Sequence, residues 1–290
     1  MTSKRVVSNS HPFAGGPHIM GVVNVTPDSF SDGGQFLNPD KAIEHGLQLI
    51  KDGATILDIG GESSRPGAEV VEEAEEIRRI VPVIEGLAQE LKGKAPWISV
   101  DTRNAKTMEA ALKAGANALN DITALTHDSK SIAVASEAQV PVFLMHMLGN
   151  PEVMQKKPSY NNVIEDIFEY LQERISLCET HRIDADLLVC DPGIGFGKTV
   201  EHNLLILRNI KRFHELGAPI LLGTSRKSFI GKISNDEPAD DRIPGSLASA
   251  LWGLQNGVQI YRVHDVKETV QAFKIYSSIS GAISSTGSDS

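Results

Sequence analysis

The chain has 290 residues and a formal net charge of -9 at pH 7, with 41% apolar and 22% charged residues. That balance suits a folded globular protein, and its acidic sign argues against a broad nucleic-acid footprint or an anionic membrane surface as partner. No apolar stretch approaches the ~18 residues of a membrane span; the only cysteines, Cys178 and Cys190, lack metal-site spacing and fit a reducing compartment, the cytoplasm.

Residues 1–17 carry two basic residues but no apolar core, so they are expected to be a flexible N-terminal segment and not a secretory signal. The first apolar run, 18–25, reaches Asn24 and opens a long loop through Phe30 to Gly34. Asn38-Pro39-Asp40 then offers a cap with proline at the first helical turn. A second run, 55–59, holds Asp58 and leads into the loop 61–67 with Ser64, Arg65 and Pro66. A helix is predicted over 72–91, acidic at its start and basic later, matching the macrodipole. The runs 97–100 and 118–119 stop at Asp101 and at Asn120. The run 142–147 carries Met145 and His146; a helix over 161–180 places Ile164, Ile167, Phe168 and Leu171 on one face. The run 187–190 meets Asp191 and the glycine-rich stretch to Lys198, 220–222 meets Gly223 and Lys227, and 259–263 meets His264. Gly53, Gly115, Gly217 and Gly257 each stand between a helical pattern and a strand, where a left-handed residue stops a helix.

Eight runs of nearly continuous Val, Ile and Leu fit a parallel sheet buried on both faces. Right-handed crossovers bring all their C-terminal ends to one side. The predicted architecture is an α/β fold, a TIM (β/α)8 barrel in one domain over 18–282, followed by a flexible tail over 283–290. An open doubly wound sheet is the alternative; eight βα units without a break favour closure.

Such a barrel gathers its chemistry at the strand ends. Asp101, Asn120 and Asp191 are expected to converge on the central pit, where buried carboxylates and an amide need partners. A heterocycle with several N–H donors supplies them. The 191–199 loop is no nucleotide motif: Pro192 stands where a Walker A loop needs glycine, and Gly193, Gly195 and Gly197 miss the dinucleotide spacing. It allows close backbone approach instead, with Phe196 a candidate apolar wall. Lys227, Arg262 and His264, with Arg65, form a cationic set at the corner of strands seven and eight, a recurrent phosphate site. Arg226 and Lys232 read better as solvated loop residues. His146, alone between methionines, reads as a packed core residue, while Met145 can lie against a flat ring. The loops after Asn24 and Ser63 are longer than connections require and read as lids. Asn24 offers a neutral oxygen suited to hydrated Mg2+ held mainly by substrate phosphates.

Together the stretches 21–34, 58–67, 99–102, 120–122, 145–147, 191–198, 225–228 and 262–265 resemble the dihydropteroate synthases, of the pterin-binding barrel family, in family order over about 19–270. One departure is Ser64, where the family usually has threonine. It keeps a hydroxyl and loses a methyl, which bears on aminobenzoate affinity and sulfonamide response. The resemblance implies condensation of 6-hydroxymethyl-7,8-dihydropterin diphosphate with 4-aminobenzoate in folate biosynthesis, by a homodimer using Mg2+. It places the pterin against Asp101, Asn120, Met145, Asp191, Phe196, Gly223 and Lys227. The diphosphate falls to Asn24, Ser64, Arg65, Arg262, Val263 and His264, with the metal at Asn24. The aminobenzoate falls to Phe30, Ser64, Arg65, Pro66, Lys227 and Ser228. Asp101, Asp191, Lys227, Arg262 and His264 are the catalytic candidates. A methyltetrahydrofolate-dependent corrinoid methyltransferase and a non-catalytic pterin-binding paralogue are the alternatives.

Overall fold

Alternation of side chains along eight short parallel strands decides what the centre of this molecule holds. The computed structural model describes residues 6–26, 38–63, 71–92, 96–149 and 158–281. Its strands are β1 (His18–Asn24), β2 (Ile56–Gly60), β3 (Trp97–Asp101), β4 (Ala118–Asp121), β5 (Val142–Met145), β6 (Leu188–Asp191), β7 (Leu221–Leu222) and β8 (Ile260–Val263). They are parallel in the order β6-β5-β4-β3-β2-β1-β8-β7. The ring closes where Ile220 bridges Cys190 and the Cys190 N–H donates to the Pro219 carbonyl at 2.9 Å. The expected barrel is therefore present.

The helices between the strands are α1 (Pro39–Lys51), α2 (Glu73–Glu90), α3 (Ala105–Ala114), α4 (Ser131–Ala138), α5 (Val163–Thr180), α6 (Val200–Arg208), α7 (Ser228–Ile233), α8 (Ile243–Gln255) and α9 (Val266–Ser280). Asn38 caps α1, its side chain accepting from the Asp40 N–H at 2.9 Å. Asn162 caps α5 by accepting from the N–H groups of Ile164 and Glu165. Ile167, Phe168 and Leu171 of α5 are buried as expected, whereas Ile164 is half-buried. The macrodipole reading of the second helix holds only at its start. Glu73, Glu75 and Glu76 occupy the first turn of α2, but no basic residue stands in the last; Arg78 and Arg79 instead pair with Glu75. The four helix-exit glycines all have positive φ, from 75° at Gly217 to 114° at Gly115.

Among the described residues three apolar clusters result, of which two build the body of the barrel. The larger fills the shell between barrel and helices. The smaller plugs the bottom of the barrel with Met20, Ile56, Ala118, Phe143, Val189, Leu221 and Ile260, and adds Phe13 from before β1. Phe13 is fully buried and meets the rings of His18, Trp97 and Phe143 edge-on or tilted at 5.2–5.7 Å. His11 is also buried, its Nε2 3.1 Å from the Leu188 carbonyl oxygen. Within the segment expected to be flexible, His11 and Phe13 are packed against the barrel, while Gly15, Gly16 and Pro17 are exposed.

Candidate active site

Two residues above the strand plug positions, the interior-facing positions become Val22, Asp58, Asn120, Met145, Asp191, Gly223 and Arg262, with Ser99 two above Trp97, which packs against the plug. The period of two therefore turns an apolar floor into a polar layer, and one more step along β1, β2 and β3 adds Asn24, Gly60 and Asp101. Above them opens a cavity of about 610 Å³ lined by Asn24, Ser63, Asp101, Asn120, Met145, Asp191, Phe196, Gly223, Lys227, Ser228, Arg262 and His264. The strand-end residues expected to converge do so.

Arg262 is the hub. Its Nε donates to Asp58 Oδ2 at 2.6 Å and its Nη2 to Asp101 Oδ2 at 2.7 Å. Asn120 donates from Nδ2 to the same Asp58 oxygen at 3.0 Å, which turns its own carbonyl oxygen into the available acceptor. Burial opposes the charge on Arg262, but Asp58 and Asp101 outweigh it and hold the guanidinium above its usual range. Burial pushes Asp101 up to about 7, Arg262 working against the shift and the charges of Asp58, Glu76 and Asp121 adding to it. The expected cationic niche is therefore an ion-paired cluster, one guanidinium between two carboxylates.

His264, unlike Arg262, is not a cation. Burial, then Arg262 and Arg226, lower it to about 3, so the ring is neutral; its Nδ1 lies 3.0 Å from Ser225 Oγ. Val263 was expected beside the diphosphate. Its side chain is buried in the shell between barrel and helices, so only its main chain is available to a ligand. Arg226 is not a solvated loop residue: it binds Asp265 through Nε and Nη2 at 3.0 and 2.6 Å and also pairs with Asp240. These bonds, with the Arg226 N–H on Ser246 Oγ, fix the turn that presents Lys227.

Asp191 and Lys227 face each other across the pit. The Gly193 N–H donates to Asp191 Oδ1 at 2.6 Å. Burial raises Asp191 to about 6, against the pull of that bond and of Lys227, Lys198 and Arg262. Burial, then Arg262, lowers Lys227 to about 8. Its Nζ lies 4.0 Å from the centre of the Phe196 ring. Ile122, Met145 and Phe196, with Met147 behind, make an apolar wall. The loop after Asp191 runs as close to its neighbours as its glycines suggested. Gly193 and Gly197 have φ of 70° and 64°, and a Cβ on either would lie 1.9 and 2.5 Å from the carbonyl oxygens of His146 and Leu148.

Phe30, Ser64, Arg65 and Pro66, and with them both expected lids, lie outside the described residues. Sequence reasoning missed three features. Asp58 was visible at a strand centre, but nothing local tied it to Arg262, 204 residues away. Ile122 carried no polar signal. Lys198 is buried against His146, Nζ to Nδ1 at 3.0 Å, on a loop where no periodicity reports burial; His146 is accordingly a packed core residue, as expected.

No group of three or more His, Cys, Asp or Glu among the described residues could hold a metal. Asn24 and Asp101 do flank a small space. A Cβ on Gly60 would sit 3.9 Å from Asn24 Oδ1 and 3.7 Å from Asp101 Oδ2, so the two oxygens border the same point beside the glycine.

Residues 20–264 match the pterin binding enzyme family. The chain is similar to the dihydropteroate synthase of Escherichia coli, 45% identical over 259 residues, which make up 89% of this chain and 90% of the relative. It is similar to a solved Xanthomonas albilineans dihydropteroate synthase with 4-aminobenzoic acid, at 43% identity and a TM-score of 0.85, covering 92% of this chain and 94% of that one. A second structure from that organism, in complex with 7,8-dihydropteroate, gives 40% identity and a TM-score of 0.82 over 92% and 95% of the two chains. The polar layer of this barrel thus sits in a chain that belongs to the pterin binding enzyme family, among its dihydropteroate synthases.

Proposed function

We propose that the cavity condenses 6-hydroxymethyl-7,8-dihydropterin diphosphate with 4-aminobenzoate to give 7,8-dihydropteroate and pyrophosphate. The observation that carries this reading is one pit holding Asp101, Asn120, Asp191 and Lys227 against an apolar wall, with Arg262 and His264 beside it. A pterin lies flat on Met145 and Phe196. Its N–H edge donates to Asp191, Asp101 and the Asn120 carbonyl, while Lys227 donates to its acceptors; Gly223 admits its edge closely. Binding these donors favours the ionised carboxylates that burial alone disfavours.

The C–O bond between the pterin methylene and the diphosphate breaks, and its electron pair leaves with pyrophosphate. Asp101 and Asp191 stabilise the positive charge left on the ring. The neutral arylamine then forms the C–N bond and gives up its proton to water or to the departing pyrophosphate, so no strong base is needed. Neutral His264 donates to the diphosphate, joined by Arg262 and the Val263 main chain. The approach of a diphosphate competes with Asp58 and Asp101 for the guanidinium and so ties leaving-group capture to the state of the pterin carboxylates. Ser228 and Lys227, with Phe30, Ser64, Arg65 and Pro66, receive the aminobenzoate; Ser64 and Arg65 also serve the diphosphate.

An amide oxygen and a shared carboxylate beside Gly60 suit a hydrated Mg2+ held mainly by substrate phosphates. When bound, Mg2+ supplies charge neutralisation to the leaving group. A homodimer is supported by an apolar groove of about 530 Å³ between α6, α7 and α8, where Ile233 and Trp252 are 53% and 44% exposed. A purely monomeric species in sedimentation velocity would remove that proposal. Two buried, unpaired thiols, Cys178 and Cys190, support a reducing compartment, the cytoplasm; among the described residues no helix is long and apolar enough to cross a membrane.

The mechanism is tested with dihydropterin diphosphate labelled by oxygen-18 at the bridging position. Scrambling of label into non-bridging positions of recovered substrate is expected, because an SN1-like ion pair returns. Turnover with no scrambling, under conditions where return is visible, contradicts the dissociative step.

A further inference from the structure

We propose that Lys198 is a positioning residue of the pterin subsite, an internal clamp that sets the Phe196 wall and the charge beneath Asp191. Lys198 is 3% exposed and does not line the cavity. Its ammonium has three N–H groups and three acceptors: the Phe196 carbonyl at 3.0 Å, His146 Nδ1 at 3.0 Å and the His146 carbonyl at 3.3 Å. The bond to Nδ1 requires a neutral His146 ring with its proton on Nε2, and burial followed by the Lys198 charge holds that histidine down at about 2.

The clamp joins two walls of the pit. One end is the exit of β5, just after Met145; the other is the glycine-rich loop, at the residue whose ring cushions Lys227. A Cβ on Gly193 would fall 3.3 Å from Lys198 Nζ, so the loop is wrapped around the ammonium. A hydrophobic side chain would fill the volume but leave the Phe196 carbonyl without its donor, and the ring it carries would lose its fixed height under Lys227. The lysine also acts through charge. Asp191 is faced by Lys227 from the loop after β7, by Arg262 from β8 and by Lys198 from its own loop. Burial lowers Lys198 to about 7, Asp191 working against the shift and Lys227 adding to it, so the ammonium is carried on the acid side where Asp191 titrates; the neutral His146 ring packs against Tyr160 and Tyr170. Removing Lys198 takes away one of three cations that keep Asp191 ionised.

This inference rests on the pterin reading of Asp191 and Phe196. It is tested with Lys198→Met and Lys198→Gln, in steady-state kinetics across pH with thermal melts as controls. Lys198→Met is expected to raise the KM for dihydropterin diphosphate about tenfold. The KM for aminobenzoate stays within about twofold, and the acid limb of kcat/KM moves up by more than about half a pH unit. Lys198→Gln restores an N–H donor without charge, so it recovers most of the KM and keeps the displaced limb. Equal changes in both KM values, or an unmoved acid limb in Lys198→Met, overturn the proposal. Failure of both variants to melt cooperatively assigns the lysine to the scaffold and overturns it as well. Asp191→Asn is the separate control: a wild-type KM for the pterin substrate there sinks the pterin reading itself, whatever the lysine variants do.

Discussion

Asp58 has a fully buried side chain and holds the Arg262 guanidinium through Nε at 2.6 Å. One guanidinium between two carboxylates is a poor trap for a free anion but a good one for an anion delivered together with a ring that occupies Asp101. That pairing of Arg262 with Asp58 and Asp101 was not legible in the sequence. The residue types at the strand ends showed which groups meet, but not their charge states, because burial and partner choice belong to the assembled ring. His264 illustrates it: grouped with the cations from its position, it is made neutral by burial and by the charges of Arg262 and Arg226. Asp191 shows the stability side of the same effect. Its folded pKa of about 6 exceeds the ordinary 3.8, so the folded state holds the proton more tightly between those values. The associated stability is complete below about pH 4 and lost as pH rises through about 6. Asp191→Asn removes the penalty. It is expected to gain about 1–3 kcal/mol and a few degrees in Tm at pH 8, shrinking toward pH 4, while losing turnover. A variant less stable than wild type at pH 8, in paired thermal melts, contradicts this account of Asp191.

At the scale of elements, local signals were readable wherever a short-range rule acts alone. Apolar runs marked the strands, Asn38 marked a helix start, and positive-φ glycines marked four helix ends. Signals failed where the decisive contact was distant. β7 has only two residues, and closure depends on a bridge from Ile220 to Cys190 that no local pattern announces. The segment before β1 lacks periodicity because it makes turns, yet it inserts Phe13 into the barrel floor. Without that ring the bottom layer of seven strand residues would enclose a hole. Phe13→Ala is expected to destabilise the fold by about 3–5 kcal/mol, read as a lower urea midpoint at unchanged m-value. Because the polar layer stands above the plug, KM values at low temperature should change little. A loss below about 1 kcal/mol would show that the segment merely rests against the barrel.

For the whole molecule, seven crossovers between parallel strands send every strand's C-terminal end to one rim, and alternation along the strands makes that rim polar and the opposite end dry. Eight runs with chemistry at their ends were enough to infer the barrel and the pit, while the ion-paired interior, the lysine clamp and the N-terminal plug needed the assembled fold. The central claim is that one cavity gathers the pterin, its leaving group and the arylamine through Asp191, Lys227 and Arg262. The most direct measurement is pyrophosphate release by the purified full chain with both substrates, beside Lys227→Ala of unchanged Tm. The account expects release equal to the 7,8-dihydropteroate formed and a loss of about a hundredfold or more in kcat/KM for the variant. No release from the wild-type chain, or a wild-type rate from Lys227→Ala, would contradict it.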